Sequence, residues 1–324
     1  LDISYSLVGA PNANSSNAAD VGKAYLYKKN FFLGTYSEDQ ILMPTELGAN
    51  GNFGYSVAIG REWLVVGAPN HSYNEGGQGF KEKVGSVFFY KYSEVTEKWG
   101  TVNGSIYNEN VKLMPGGWTG LGKQNANAQF GFSVDMDASS NWCIIGIPQT
   151  NAGFEGMAHI YENVSGTWTY RKQIDSSDGA SGDSFGYSVT INDGGTFAFV
   201  GANNHNSAKG AVYVFKRNHP NAGDWGQYQK IVSLDERVNS YFGNSVSVHG
   251  NTLLIGSPNG GNFSGAVYEV TYSTGTGKWG VQSGSNYLPS SDKIVALDAS
   301  ANDQYGYSVG AYENFGVVGS KSTD

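Results

Sequence analysis

Five copies of one short phrase constrain this chain more than any other feature. Each reads Phe-Gly-x-Ser-Val, then a short gap, then an apolar run ending in Gly and usually Pro. The copies begin at Phe53, Phe130, Phe185, Phe242 and, with Tyr in place of Phe, Tyr305, at spacings of 77, 55, 57 and 63 residues. Self-similarity at this scale means a stack of supersecondary units, because one unit alone cannot bury its apolar face.

The unit at Phe185 predicts four short strands, labelled a to d. Phe185 to Ile191 alternates large and small residues and predicts strand a; Asn192-Asp193-Gly194-Gly195 is turn chemistry. Phe197-Ala198-Phe199-Val200-Gly201 is a continuous apolar run, which fits a strand b covered on both faces. Gly210 to Phe215, rich in aromatic and β-branched residues, predicts strand c, and Trp225 opens strand d. Strand b recurs at Trp63 to Pro69, Cys143 to Pro148 and Leu253 to Pro258, and strand c at Gly85 to Tyr90, Gly156 to Tyr161 and Gly265 to Val270. Trp99, Trp168, Trp225 and Trp279 each follow a strand c and are expected to be packing wedges between neighbouring units rather than sugar platforms. The chain opens on strands b and c (Ser6 to Pro11, Gly22 to Tyr27) and closes on strands a and b (Tyr305 to Val309, Phe315 to Gly319). A closed ring of four-stranded blades needs more strands than these, so an excerpt of a longer protein is expected.

Phe53-Gly54 followed by Gly67-Ala68-Pro69, with Gly210 to Phe215 and Trp225, resembles the FG-GAP repeat of the integrin alpha-subunit β-propeller, in its calcium-poor variety. The resemblance covers nearly the whole chain. It implies an all-β fold, a β-propeller of four-stranded antiparallel blades, six or seven in the complete protein. Residues 1–324 are then one propeller domain with repeats beginning near 1, 53, 130, 185, 242 and 305. It also implies extracellular or cell-surface adhesion or assembly, although fold alone does not set function.

The integrin-type unit carries Asp-x-Asp-x-Asp-Gly between strands a and b. Here that place holds Gly60-Arg61-Glu62 and His249 to Thr252, too short to converge six to eight oxygens on calcium, and Asp135 with Asp137 or Asn192 with Asp193 supply too few. No cofactor is expected. A second acidic place precedes strand a, at Asp178, Asp183, Asp298 and Asp303, with Asp235 before Phe242. These are weak cation candidates, and the favoured reading is that they cap their own turns.

Net charge is −8, and no Lys/Arg cluster exceeds a pair such as Lys28-Lys29, which excludes nucleic acid as a partner. No apolar run is long enough to span a membrane. The lone Cys143 lies in strand b and reads as a buried hydrophobe. Glycosylation sequons stand at Asn14, Asn70, Asn103, Asn163 and Asn262, of which Asn14, Asn70 and Asn262 fall in loops after strand b. No catalytic residue is expected, and no two of the five histidines have metal-ligand spacing.

Specificity should sit where the units differ. Two insertions stand out: the loop carrying Tyr73, Asn74 and Phe80, and the stretch after Trp99 carrying Tyr107 and Trp118. These five are the candidate contacts for a protein or glycan at the cell surface, and open strand edges would favour self-assembly. A sugar-binding lectin is the first alternative. A propeller glycoside hydrolase is the second, weakened because Ser273 to Trp279 lacks the Asp of the sialidase-type box.

Overall fold

The structure is a computed structural model that describes residues 5–14, 20–46, 48–74, 80–115, 127–148, 153–235, 237–261, 263–291 and 293–322. It divides into two compact units, Leu1–Ile147 and Pro148–Asp324.

In the first unit, Tyr5–Ala10, Lys23–Asn30 and Thr35–Leu42 form an antiparallel meander, the strands b, c and d of the opening repeat. Strands a, b and c of the second repeat are Ser56–Ile59, Trp63–Ala68 and Ser86–Ser93. Its strand d is split into Lys98–Trp99 and Val111–Leu113, both paired to strand c. Between the halves, the hairpin Thr101–Asn103/Ile106–Asn108 leaves its own sheet and lies parallel to strand d of the opening repeat, Tyr107 opposite Leu42. Strands a and b of the third repeat, Ser133–Met136 and Trp142–Ile147, pair at the end of this unit.

The second unit begins with strands c and d of the third repeat, Met157–Val164 and Thr167–Ile174. The fourth repeat is a complete blade: Phe185–Ile191, Phe197–Ala202, Ala211–Arg217 and Trp225–Ile231. The fifth is Ser245–His249, Thr252–Ser257, Ala266–Ser273 and the short Lys278–Trp279. Here too a hairpin, Val281–Ser283/Asn286–Leu288, departs after the Trp and lies parallel to strand d of the fourth repeat, Tyr287 opposite Ile231. Ser308–Tyr312 and Phe315–Gly319 form the last pair. Strand b is buried along its whole length in the second to fourth repeats, as its continuous apolar run requires.

The repeated phrase is consumed by blade-to-blade contact. Phe53, Phe130, Phe185 and Phe242 are fully buried, and each bridges the Gly that opens strand c of the preceding repeat. The motif glycines Gly54, Gly131, Gly243 and Gly306 have φ between +85° and +88° and pack against the preceding blade. The strand b glycines Gly9, Gly67, Gly201 and Gly256 lie so close to them that an added Cβ would sit 1.9–2.1 Å from their carbonyl oxygens. The motif serine completes the joint: Ser56 donates to the Gly131 carbonyl, Ser188 to that of Gly243 and Ser245 to that of Gly306, at 2.7–3.0 Å. Glycine, aromatic and serine therefore recur because backbones of adjacent blades touch there.

The core lies between facing sheets. In the second unit Phe197, Phe199, Val212, Val214 and Ile231 of the fourth repeat meet Phe242, Val246, Leu253, Ile255 and Trp279 of the fifth. Trp279 stands edge-on to Phe199, ring centroids 4.9 Å apart, and Trp99 stands edge-on to Tyr5 at 5.9 Å. Both are the expected wedges.

Candidate functional site

The acidic loops before strand a divide into two kinds. Asp183 and Asp303 cap their own turns, each accepting a backbone N–H three residues upstream, at 2.9 Å from Ala180 and 2.7 Å from Ser300. Asp178 does not cap its turn. Its Oδ1 accepts the Tyr213 hydroxyl at 2.7 Å and its Oδ2 the Lys230 ammonium at 2.6 Å, so it latches the loop onto strands c and d of the same blade. Asp235 repeats the device one blade on, accepting from Tyr268 at 2.5 Å, Ser233 at 2.7 Å and Lys293 at 3.1 Å. Glu46 with Lys112 at 3.3 Å is the first-unit version, with the Lys112 ammonium over the Phe88 ring. The two aspartates are thus spent on internal latches, which corrects their expected turn-capping role. Asp298 is exposed. No cluster of three or more His, Cys, Asp or Glu suited to a metal occurs among the described residues.

Partial burial opposes charge on both latch aspartates, yet the hydrogen bonds outweigh it. Asp178 is held below the usual carboxylate range by Lys230 and Tyr213, and Asp235 is held down to about 2 by Tyr268, Ser233 and Lys293. Burial, then hydrogen bonding to the carboxylates, pushes the Tyr213 and Tyr268 hydroxyls well up.

Beside the Asp178 latch lies a recess of about 80 Å³, lined by His205, Lys209, Lys230, Ser233 and Asn286 among others. Lys230 can only donate, so His205 Nε2 accepts from it at 2.8 Å, and Nδ1–H donates to Asp183 at 2.7 Å. Both ring nitrogens are engaged. The loop behind the ring holds three successive non-glycine residues in the left-handed region, Asn206, Ser207 and Ala208, with φ of 52°, 61° and 57°.

Val232 and Ser233 border this recess, and an apolar patch begins with the next residue. Leu234, Val238, Phe263, Ile294, Val295 and Leu297 all expose their side chains. They come from one loop after strand b and two before strand a. Three contacts tie these loops together: the Asp235–Lys293 ion pair, the Arg237 guanidinium 5.3 Å over the Phe263 ring, and Gly261 lodged against Val295. An apolar centre with a charged rim is the anatomy of a contact surface.

The residues singled out from sequence lie elsewhere. Tyr73–Asn74 and Phe80–Lys81 pair as a two-residue ladder. Tyr107, expected as an exposed contact, is half-buried against the core cluster of the first unit, and its carbonyl accepts from Met43 at 3.1 Å, because its hairpin is an added strand of the preceding sheet. Trp118 and Asn262 lie outside the described residues. Asn14 and Asn103 are exposed, whereas Asn70 is half-buried with its amide donating to Asn52 at 2.6 Å, and Asn163 Oδ1 accepts from Gly166 within the turn after strand c. The patch was missed because scattered Leu, Val and Ile in polar loops carry no motif.

Comparison with known proteins agrees with this architecture. A putative 6-phosphogluconolactonase from Bacteroides fragilis superposes with a TM-score of 0.54 at 10% identity, covering 94% of this chain and 71% of that one. A protein from Lactobacillus plantarum gives 0.45 at 10% identity over 83% of this chain and 66% of that one. At such identity the first likeness shows the fold and no activity. The chain is a β-propeller of four-stranded antiparallel blades. The sequence profile of the FG-GAP repeat matches three places in the chain, residues 36–88, 168–215 and 225–271, in agreement with the propeller. A search of curated proteins gives no match. No helix among the described residues is long and apolar enough to cross a membrane.

Proposed function

We propose that this propeller is an extracellular interaction or structural module. It acts in adhesion or assembly, presenting the loops after strand b and before strand a to a protein or glycan partner. The observation that carries this reading is the patch of Leu234, Val238, Phe263, Ile294, Val295 and Leu297, drawn from three loops and rimmed by Asp235, Arg237 and Lys293. A surface of this kind is stabilised by covering it. The resemblance to FG-GAP repeats supports a place outside the cell. The reading is non-catalytic.

One observation favours sugar binding as a second reading. Tyr55 is exposed and packs on Phe132 with ring centroids 4.9 Å apart, an aromatic platform of the sort that stacks on a pyranose.

The test is binding of the purified chain to a glycan array and to a surface-displayed protein library. The comparison is with two variants, Phe263→Ser/Leu297→Ser and Tyr55→Ser. A protein ligand lost by the first and indifferent to free sugars is the expected result. A glycan lost only by the second establishes the lectin reading. Ligands bound equally by both variants overturn the site.

A further inference from the structure

Each strand c reverses into strand d through a short turn, and these turns differ sharply in chemistry. In the second repeat the turn is Glu94-Val95-Thr96-Glu97, in the third Ser165-Gly166, in the fifth Thr274-Gly275-Thr276-Gly277, and in the fourth a longer polar loop from Asn218 to Asp224. The opening repeat places Phe31-Phe32-Leu33 at the same position. These side chains are 64%, 98% and 67% exposed. Three consecutive exposed large apolar residues are not an ordinary surface.

The turn is built to hold them outward. Asn30 Oδ1 accepts the N–H groups of Phe32 at 3.0 Å and Leu33 at 3.1 Å, and the Asn30 carbonyl accepts that of Gly34 at 2.8 Å. Gly34 supplies the left-handed φ of +68° that closes the reversal, with nothing within 4 Å of where a Cβ would be. The apolar tip is therefore an ordered hairpin end and not a frayed segment.

Its collar is cationic and aromatic. Residues 28–36 carry Lys28 and Lys29 and no acid, in a chain whose net charge is −8. The Lys29 ammonium lies 5.5 Å over the Phe31 ring and 5.9 Å over that of Tyr36, which is itself exposed. The Lys28 ammonium lies 5.7 Å over the Tyr5 ring and 3.9 Å from the exposed Glu97 carboxylate. An apolar tip, then an aromatic ring, then lysine ammoniums matches the polarity gradient from acyl chains through the interface to anionic headgroups. Lysines in such a place lay their stems along apolar surface and keep the charge at the headgroups.

A protein partner fits less well. The three side chains offer roughly 400 Å² on this side, and a specific protein interface buries about 1,000 Å² or more in total with shape complementarity across a broad patch. A fluid bilayer accepts a narrow projection without needing a matching socket.

We propose that the Phe31–Leu33 turn is a membrane-interface anchor: its apolar side chains enter the headgroup–acyl boundary of a lipid bilayer, and Lys28 and Lys29 engage anionic headgroups. This is peripheral attachment, independent of the patch around Phe263.

The experiment is co-flotation of the purified chain with vesicles of phosphatidylcholine alone and of phosphatidylcholine with phosphatidylserine. The wild-type chain is expected to float with the mixed vesicles. Phe32→Ser should cut the bound fraction roughly tenfold, and Lys28→Gln/Lys29→Gln should weaken binding to mixed vesicles but not to phosphatidylcholine alone. Phe32→Trp should show a blue-shifted emission, relative to wild type, when vesicles are added. Phe263→Ser/Leu297→Ser should float like wild type, which separates this anchor from the partner-binding patch. Equal melting temperatures check that the exposed-turn variants fold. The proposal is overturned if the wild-type chain stays unbound, if Phe32→Ser floats equally well, or if the substitution instead abolishes a concentration-dependent dimer in the absence of lipid.

Discussion

The side-chain amide of Gln229 forms a two-bond ring with the backbone of Trp279. Gln229 Nε2 donates to the Trp279 carbonyl and the Trp279 N–H donates to Gln229 Oε1, each at 2.9 Å. Gln40 grips Trp99 with the same pair of bonds at the same distances. In both cases a buried glutamine on strand d of one blade satisfies the Trp at which the next chain segment breaks away into its hairpin.

Gln229→Ala should therefore cost about 2–4 kcal/mol, because it strands a buried N–H and a buried C=O at once. Gln229→Glu should cost a similar amount, since its second oxygen would face the Trp279 carbonyl instead of a donor. Urea unfolding of the two variants beside wild type measures both. A change under about 0.5 kcal/mol would show the clamp to be incidental.

The blade joint gives a steeper contrast. A Cβ on Gly201 would lie 2.1 Å from the Gly243 carbonyl oxygen, which is backbone, and 2.3 Å from Ser188 Oγ. Gly201→Ala should cost about 4 kcal/mol or more and sharply lower soluble yield. Gly275→Ala, whose nearest neighbour would be Ser273 Oγ at 3.9 Å, should stay within about 0.5 kcal/mol of wild type. Thermal melting of the pair reads the difference.

Asp235 sets an acid limit. Burial opposes its charge, but hydrogen bonds from Tyr268, Ser233 and Lys293 hold the folded carboxyl down from 3.8 to about 2. A carboxyl depressed on folding stabilises above its unfolded pKa, and that contribution is lost as pH falls through the folded value. Because the side chain is about a third exposed, the effect is discounted to about 1 kcal/mol. Asp235→Asn should be less stable than wild type at pH 7, and the gap should close between pH 3.8 and about 2. Denaturant midpoints across that window test it.

Two buried histidines act at milder acidity. Burial drops His71 and His159 from 6.5 to about 4, with the Lys112 charge adding to the effect at His71. Both are held neutral in the fold, so the unfolded chain takes up protons first as pH falls below 6.5 and stability declines down to about 4. Each contributes on the order of 3 kcal/mol to that loss. His159 occupies the register position that Phe88 holds in the second repeat and Tyr213 in the fourth. His159→Phe should therefore flatten the pH dependence of the melting temperature between those values. An unchanged slope would mean that His159 protonates without opening its surroundings.

The blades were legible because each unit must satisfy the same contact with its neighbour. Phe-Gly-x-Ser-Val and the strand b glycine are the two halves of one backbone joint, so the repeat in the chain is a repeat in space. The strap hairpins were legible in principle. Trp99-Gly100 and Trp279-Gly280 are each followed by Gly-Ser-x-Tyr, ending at Tyr107 and Tyr287. Only the first stretch stood out by its length, and its Tyr looked like an exposed contact. Nothing local in Tyr107 says that Leu42 of the preceding sheet is its strand neighbour.

What the chain determined by itself was the unit: four strands, their order, the aromatic wedges, and the absence of the integrin-type calcium loop. These follow from periodicity and turn chemistry, which act within a few residues. The tertiary structure decided which partners the variable loops take. Asp178 was free by sequence to cap its turn or to take a cation, and it is held by Tyr213 and Lys230, 35 and 52 residues away. Phe263, Val295 and Leu297 become one patch because an ion pair and a stacked guanidinium bring three loops together. Phe32 is the converse: its hydrophobicity was plain in the chain, and only the folded hairpin shows that it projects outward, since burial is decided by what packs on a residue and not by the residue itself.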